Sequence, residues 1–234
     1  MKLSLKDVKY TYKSKHQSVR ALNGVSYDFE QGRFYAVVGK SGSGKTTMLS
    51  VIAGLDLPTE GDVVFGDIDT KKIDRDKYRL DHVSIIYQSL NLLPLLSALE
   101  NVSFPLVYRG MDKKEAEKIA TEKLESIGID SVMSMRLPSM LSGGEQQRVA
   151  IARALALKTE IILADEPTGN LDTENSMLIV ELLKNLAASE NVCVIVVTHD
   201  PAVSAHADVV LRIVDGRFEE DVTDFDLTLF YPCT

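Results

Sequence analysis

The stretch GKSGSGKTT at 39–47 restricts the folds open to this chain more than any other segment. An apolar run, FYAVV at 34–38, leads into it. Met48, Val51, Ile52 and Leu55 follow it with the i, i+3, i+4, i+7 spacing of an amphipathic helix. Strand, glycine-rich turn and helix are the context that the pattern G-x-x-x-x-G-K-[ST] demands. Gly39, Ser41, Gly42, Ser43 and Gly44 let successive backbone N–H groups curl round a phosphate. The helix N-terminus adds a partial positive charge. Lys45 is placed to reach β- and γ-phosphates, and the Thr46 hydroxyl, with Thr47 beside it, to ligate Mg²⁺.

Other apolar runs also end in polar residues. VSIIY at 83–87 ends at Gln88, IILA at 161–164 at Asp165, and VCVIVV at 192–197 at Thr198 and His199. Strand-like runs alternating with helical patterns predict an α/β fold with a largely parallel sheet. Ligands bind beyond the carboxyl ends of such strands, so these polar residues are candidate site residues. Asp165 is suited to hold Mg²⁺ directly or through water, and Glu166 to polarise a water as general base. His199 as a neutral imidazole can bond a γ-phosphate, and the Gln88 amide can ligate Mg²⁺ or water.

Ala116, Ile119, Ala120, Leu124 and Ile127 predict a helix with Asp112 as N-cap, Glu115 three residues on and Gly128 closing it. Leu178, Leu182, Leu183 and Leu186 predict another. Residues 89–157 read as helix and loop inserted between core strands, and the first 30 residues as antiparallel strands. The expected organisation is one domain over 1–234: a core of 1–88 and 158–217, a helical lobe of 89–157 and a tail of 218–234. Within the tail, RFEEDVTDFD reads as a solvated edge or short helix.

A net charge of -8 argues against coating nucleic acid, and none is expected as a partner. Cys193 and Cys233 form no disulfide framework, and Cys193 reads as a buried strand residue. The N-terminus lacks a signal-peptide core. The longest uncharged run, 83–99, is interrupted by polar residues and falls short of the roughly 20 apolar residues of a span. A soluble, cytoplasmic chain able to sit on a membrane protein is expected.

LSGGE at 141–145 is the odd segment. Gly143 and Gly144 open an apparent helix, although glycine costs about 1 kcal/mol in a helix interior relative to alanine. Taken in order, GKSGSGKTT, the Tyr87-Gln88 pair, LSGGE, ILADEPTGNLD at 162–172 and THD at 198–200 resemble the ATP-binding cassette (ABC) ATPases over residues 1–217. That resemblance implies a RecA-like P-loop NTPase core using ATP and Mg²⁺. It also implies a head-to-tail pair of copies in which Ser142, Gly143 and Gly144 meet ATP held by the partner copy. It further implies that Tyr12, with Tyr10 as the alternative, stacks on the base, and that Asp172 lies at the subunit interface. Stacking reads bases poorly, which leaves ATP and GTP both open. Two positions depart from the commonest family pattern, Lys40 and Glu145. Phosphate would repel the Glu145 carboxylate, which is expected to point away.

NLLPLLSALENVSFPL at 91–106 and ADEPTGNLD are similar to one subclass, the lipoprotein-release, macrolide-export and bacitracin-type resistance transporters and the cell-division ATPase. This similarity implies an integral membrane partner and a peripheral place on the inner membrane face. Soluble DNA-repair relatives usually carry coiled-coil insertions or zinc-binding cysteines, and this chain shows neither. Pro94 breaks any helix through 90–99, so Leu92, Leu93, Leu95 and Leu96 cannot share one buried stripe. Some are expected to stay exposed as a docking surface.

Overall fold

A computed structural model describes residues 2–14, 17–169 and 171–219. The chain opens with strands β1 (Lys2–Lys13), β2 (Ser18–Glu30) and β3 (Phe34–Val38), then helix α1 (Lys45–Ile52), β4 (Glu60–Phe65), β5 (Ile68–Asp69), α2 (Arg75–Asp81) and β6 (Val83–Ile86). Four helices follow without a strand: α3 (Ala98–Tyr108), α4 (Lys113–Ser126), α5 (Ser131–Ser134) and α6 (Gly143–Ala156). The chain then returns through β7 (Ile161–Asp165), α7 (Thr173–Glu190), β8 (Cys193–Val197), α8 (Pro201–Ser204), β9 (Val209–Val214) and β10 (Arg217–Phe218).

One sheet has the order β10-β9-β3-β8-β7-β6, parallel except at β10; the other is antiparallel, ordered β2-β1-β4-β5. The runs FYAVV, IILA and CVIVV are buried on both faces, as parallel strands between two layers must be. Alternate residues serve different cores. Tyr35, Val37, Leu163 and Ile195 pack with Leu3, Phe29, Met48 and Val63 between the sheets. Phe34, Ile162, Val194 and Val196 pack with Val102, Leu124, Val149, Leu155 and Leu183 under the helices. The helices inserted between β6 and β7 therefore share one apolar cluster with the parallel sheet.

Two details differ from the sequence expectations. Helix α1 stops at Ile52, and Leu55 lies beyond Gly54, whose φ of +66° ends the turn, with its side chain 39% exposed. On α7 the buried stripe is Ile179, Val180, Leu183 and Leu186, and Leu178 is 58% exposed. Phe218, in the segment expected as a solvated edge or short helix, lies in the edge strand β10. Asp215 and Gly216 take φ values of 49° and 73°, the type of turn that closes a two-residue hairpin, and Phe218 pairs with Ile213. The rest of the tail, 220–234 with Cys233, lies outside the described residues. Cys193 is buried in β8, which pushes its thiol up to about 12. Among the described residues no helix is long and apolar enough to cross a membrane.

Candidate functional site

A cavity of 520 Å³ lies at the carboxyl ends of β3, β7 and β8, where α/β sheets place ligands. It gathers residues from distant parts of the chain: Tyr12, Gly39, Ser41, Gly42, Gly44, Lys45, Thr46, Thr47, Gln88, Asp165, Glu166 and His199. Ser43 does not line it; this serine is buried behind the loop. Gly44 has φ +107°, and a Cβ there would lie 2.4 Å from the carbonyl oxygen of Ala21. Only glycine fits, because β2 presses on the loop at the point where α1 begins.

Lys45 Nζ donates to the carbonyl oxygens of Gly39 at 2.7 Å and Lys40 at 3.0 Å, folding the ammonium over the loop. Thr46 Oγ1 donates to Asp165 Oδ2 at 3.0 Å. Burial raises the Asp165 carboxyl above its ordinary value and the Glu166 charge adds to this, while the Thr46 hydroxyl and Lys45 oppose it. A hydroxyl beside a crowded, partly desolvated carboxylate is a donor set suited to a hard divalent cation, so the residues fit Mg²⁺. The lysine, glycine loop and helix terminus likewise fit a polyphosphate.

Glu166 sits at φ 49°, a left-handed conformation uncommon for glutamate, held by its N–H on the Val197 carbonyl at 2.9 Å. Its Oε1 is 2.6 Å from His199 Nδ1, and Thr198 Oγ1 donates to Oε2 at 3.4 Å. The glutamate side chain is 13% exposed and the imidazole 76%. The histidine that β8 delivers thus contacts the carboxylate that β7 delivers. Tyr12 is half-exposed, and its hydroxyl meets Thr47 Oγ1 at 3.2 Å. Sequence reasoning missed Val19, Arg20 and Ala21, which also line the cavity. The β1–β2 register pairs Tyr12 with Val19 and Thr11 with Arg20, so the missed wall follows from cross-strand pairing rather than local pattern.

Ser142, Gly143, Gly144 and Asp172 do not line this cavity. Ser142 is the N-cap of α6 in a reciprocal capping box: Glu145 N donates to Ser142 Oγ at 3.3 Å, and Ser142 N donates to Glu145 Oε2 at 2.6 Å. The Ser142 main-chain N–H, followed by its side chain, holds the Glu145 carboxyl below its usual value. Ser-x-x-Glu at a helix start is the sequence signature of such a box, and sequence reasoning passed over it here. A Cβ on Gly143 would meet nothing within 4 Å. Nothing in the chain's own packing asks for glycine at this exposed position. Asp172 caps α7, accepting from Asn175 N and Nδ2, both at 2.8 Å. Arg148 Nη1 of α6 donates to Asn175 Oδ1 at 3.0 Å, tying the two helices together.

Residues 22–169 match the ABC transporter family. The chain is 44% identical over 225 residues to an uncharacterised ABC transporter ATP-binding protein, MJ0796 of Methanocaldococcus jannaschii, covering 94% of this chain and 96% of that one. It is 42% identical to the lipoprotein-releasing system ATP-binding protein LolD of Chromohalobacter salexigens, covering 90% of each. It is 39% identical to the macrolide export ATP-binding/permease protein MacB of Rhodopirellula baltica, covering 94% of this chain but 33% of that one. The fold superposes on a dimeric post-hydrolysis structure of the MJ0796 cassette bound to ADP and Pi with TM-score 0.88 and 42% identity, over 93% of this chain and 96% of that one. The chain belongs to the ATP-binding cassette (ABC) transporter family and is an ATPase that uses ATP with Mg²⁺.

Proposed function

We propose that this chain is the ATPase subunit of an export-type membrane transporter or mechanotransmission complex, and that two copies close head to tail over two ATP molecules. Gly143 carries this reading. Its bare backbone opens a helix on open space, where an alanine would fit without contact. Glycine there makes physical sense when something from outside the chain comes close to the main chain. The partner's ATP is suited to that place, since N–H groups at a helix start attract phosphate. Ser142 and Gly144 stand beside it, and Asp172 is tied to the same helix through Asn175 and Arg148.

Within one subunit Lys45 and the phosphate loop hold the β- and γ-phosphates, and Tyr12 offers its ring to the base. Thr46, Asp165 and Gln88 hold Mg²⁺, which when bound neutralises charge on the phosphates. Glu166 takes the proton of the attacking water at Oε2, because Oε1 faces His199. His199 positions that carboxylate through Nδ1, and as an imidazolium, with both ring nitrogens donating, it also bonds the γ-phosphate from Nε2.

The core of 1–88 and 158–217 carries this cavity, and the lobe of 89–157 carries the signature segment and the membrane contact. Leu93, Leu95, Phe104, Val107 and Tyr108 are exposed, with Leu95 at 86%. Phe104 and Tyr108 stack at 6.3 Å on the outer face of α3, whose inner face is already buried by Ala98, Val102 and Leu106. Exposed apolar side chains gathered in this way mark an interaction surface. A membrane subunit supplies the partner for it, and the MacB relative, by its name, carries a permease with its ATP-binding part. The chain would then sit peripherally on the inner membrane face.

The test is the Glu166→Gln variant, which keeps the side-chain shape and removes a charge beside the γ-phosphate. Turnover should fall by about 10²–10⁴, as for loss of a general base, while ATP stays bound. Sedimentation with ATP should show a dimer holding two nucleotides. A monomer at saturating ATP would refute the sandwich.

A further inference from the structure

Leu90 and Asn91 both stand in the left-handed region, at φ 62° and 46°. For leucine this crowds Cβ against the following carbonyl, so the conformation needs outside support. The support comes from α6. Arg153 Nη2 donates to the Leu90 carbonyl at 2.8 Å, and Nη1 donates to the Asn91 carbonyl at 2.7 Å. A planar guanidinium fits two oxygens turned the same way, as a lysine ammonium cannot. Among the described residues no carboxylate lies within ion-pair distance of Arg153, and burial lowers its pKa. Its charge is spent on the two carbonyls.

We propose that Arg153 is a positioning residue that clamps the turn following Gln88 to the signature helix. Gln88 lines the nucleotide cavity two residues before the turn, and Ser142 caps the other end of the helix that carries Arg153. Two body-forming contacts, the clamp and the helix itself, make Gln88 and Ser142 parts of one rigid unit. A shift of Gln88 towards a γ-phosphate in its own site then carries Ser142 with it towards the partner's site. This rests on the proposed roles of Gln88 and Ser142, and it adds the residue that couples them.

Two variants approach the clamp from opposite sides. Arg153→Lys keeps the charge and loses the fork. Leu90→Val keeps the arginine and puts a β-branched residue where the left-handed turn least tolerates it. Each should cut kcat about tenfold or more, with the KM for ATP and nucleotide binding to the monomer changed by less than about threefold. Because both undo one turn, the double variant should lose no more than the worse single, which is strong coupling in a double-mutant cycle. In a Glu166→Gln background each should also weaken the ATP-dependent dimer. The clamp is overturned if Arg153→Lys keeps kcat within about twofold of the parent. Independent, multiplying losses in the double variant would also overturn it, as would an Arg153→Lys protein that is unfolded at the assay temperature. If Glu166→Gln alone fails to dimerise, the sandwich reading falls. If it dimerises and the clamp variants do not affect it, only the clamp falls.

Discussion

Asn101 is fully buried in the first turn of α3, and its amide, with one acceptor oxygen and two N–H donors, ties down the loop before that helix. Leu93 N donates to its Oδ1 at 2.7 Å. Its Nδ2 faces the carbonyls of Leu93 at 3.1 Å, Leu96 at 2.9 Å and Ser97 at 3.0 Å. One amide therefore shapes the loop that displays Leu93 and Leu95. Asn101→Leu removes all of these bonds at similar volume. Each is worth about 1 kcal/mol net, and the loop is exposed enough for water to reach the freed groups. Leucine regains some apolar burial and helix propensity, so the net loss should be about 2–4 kcal/mol. For a chain of this size that lowers the melting temperature by about 5–15 °C. Asn101→Asp is the sharper perturbation. It keeps the acceptor for Leu93 N but sets a carboxylate against three carbonyls. Burial and those carbonyls raise the new group's folded pKa above its unfolded value, so the folded state binds the proton more tightly. Stability should then rise as pH falls, the reverse of ordinary acid denaturation. Urea unfolding from neutral to mildly acid pH reads both effects. Changes below about 0.5 kcal/mol for both variants would refute the assignment of the loop to this side chain.

Ser142→Arg should spare ATP binding to the monomer yet block the ATP-dependent dimer, whereas Lys45→Ala should weaken monomer binding; equal losses of monomer affinity, measured by titration calorimetry, would contradict the separation of the two sites. Glu145→Ala should cost about 1 kcal/mol through loss of the capping box, and Glu145→Gln less. Because the Glu145 carboxyl is held below the usual carboxylate range, its contribution is present above the unfolded pKa and is lost as pH falls through the folded value; the gap between wild type and Glu145→Ala in urea unfolding should close there. Leu95→Asp should abolish copurification with the membrane subunit while the melting temperature stays unchanged, whereas Leu92→Asp, aimed at a residue packed on the helical core, should unfold the chain.

The nucleotide cavity was legible because its chemistry is local. The phosphate loop sits between a strand and a helix, and Asp165, Glu166 and His199 each follow an apolar run that admits one reading. Parallel strands buried on both faces advertise their ends. The parts that escaped depend on contacts between distant residues or on backbone sign. Val19 and Arg20 join the cavity only because of hairpin register. Asn101 looks like a weak helix residue until the loop folds over it. Leu178 and Leu182 share one helical spacing and Leu183 and Leu186 another, and the side that faces the sheet is fixed by Ile179 and Val180, which the leucine count ignored. The strained pair Leu90 and Asn91 carries no compositional mark at all.

Helix α6 shows why the signature segment is more than a cap. Its N-terminus presents Ser142 and Gly143 to the outside, and its apolar side, with Val149, Ile151 and Leu155, is locked into the core shared with the parallel sheet. Its two arginines, Arg148 in the middle and Arg153 in the last turn, reach in different directions. Arg153 holds the turn after Gln88, and Arg148 holds Asn175, which in turn bonds Asp172. Under the proposed assembly, Ser142 meets the ATP of the partner copy and Asp172 lies at the subunit interface, while Gln88 belongs to the subunit's own site. A single helix is thus bonded, directly or through one side chain, to segments serving both nucleotides. Buried core and bidentate bonds leave such a helix little freedom to bend, so a displacement at either end must appear at the other or break a named contact. Under the proposed assembly, that requirement would make coupling between the two sites a property of α6 itself rather than of the loops it joins.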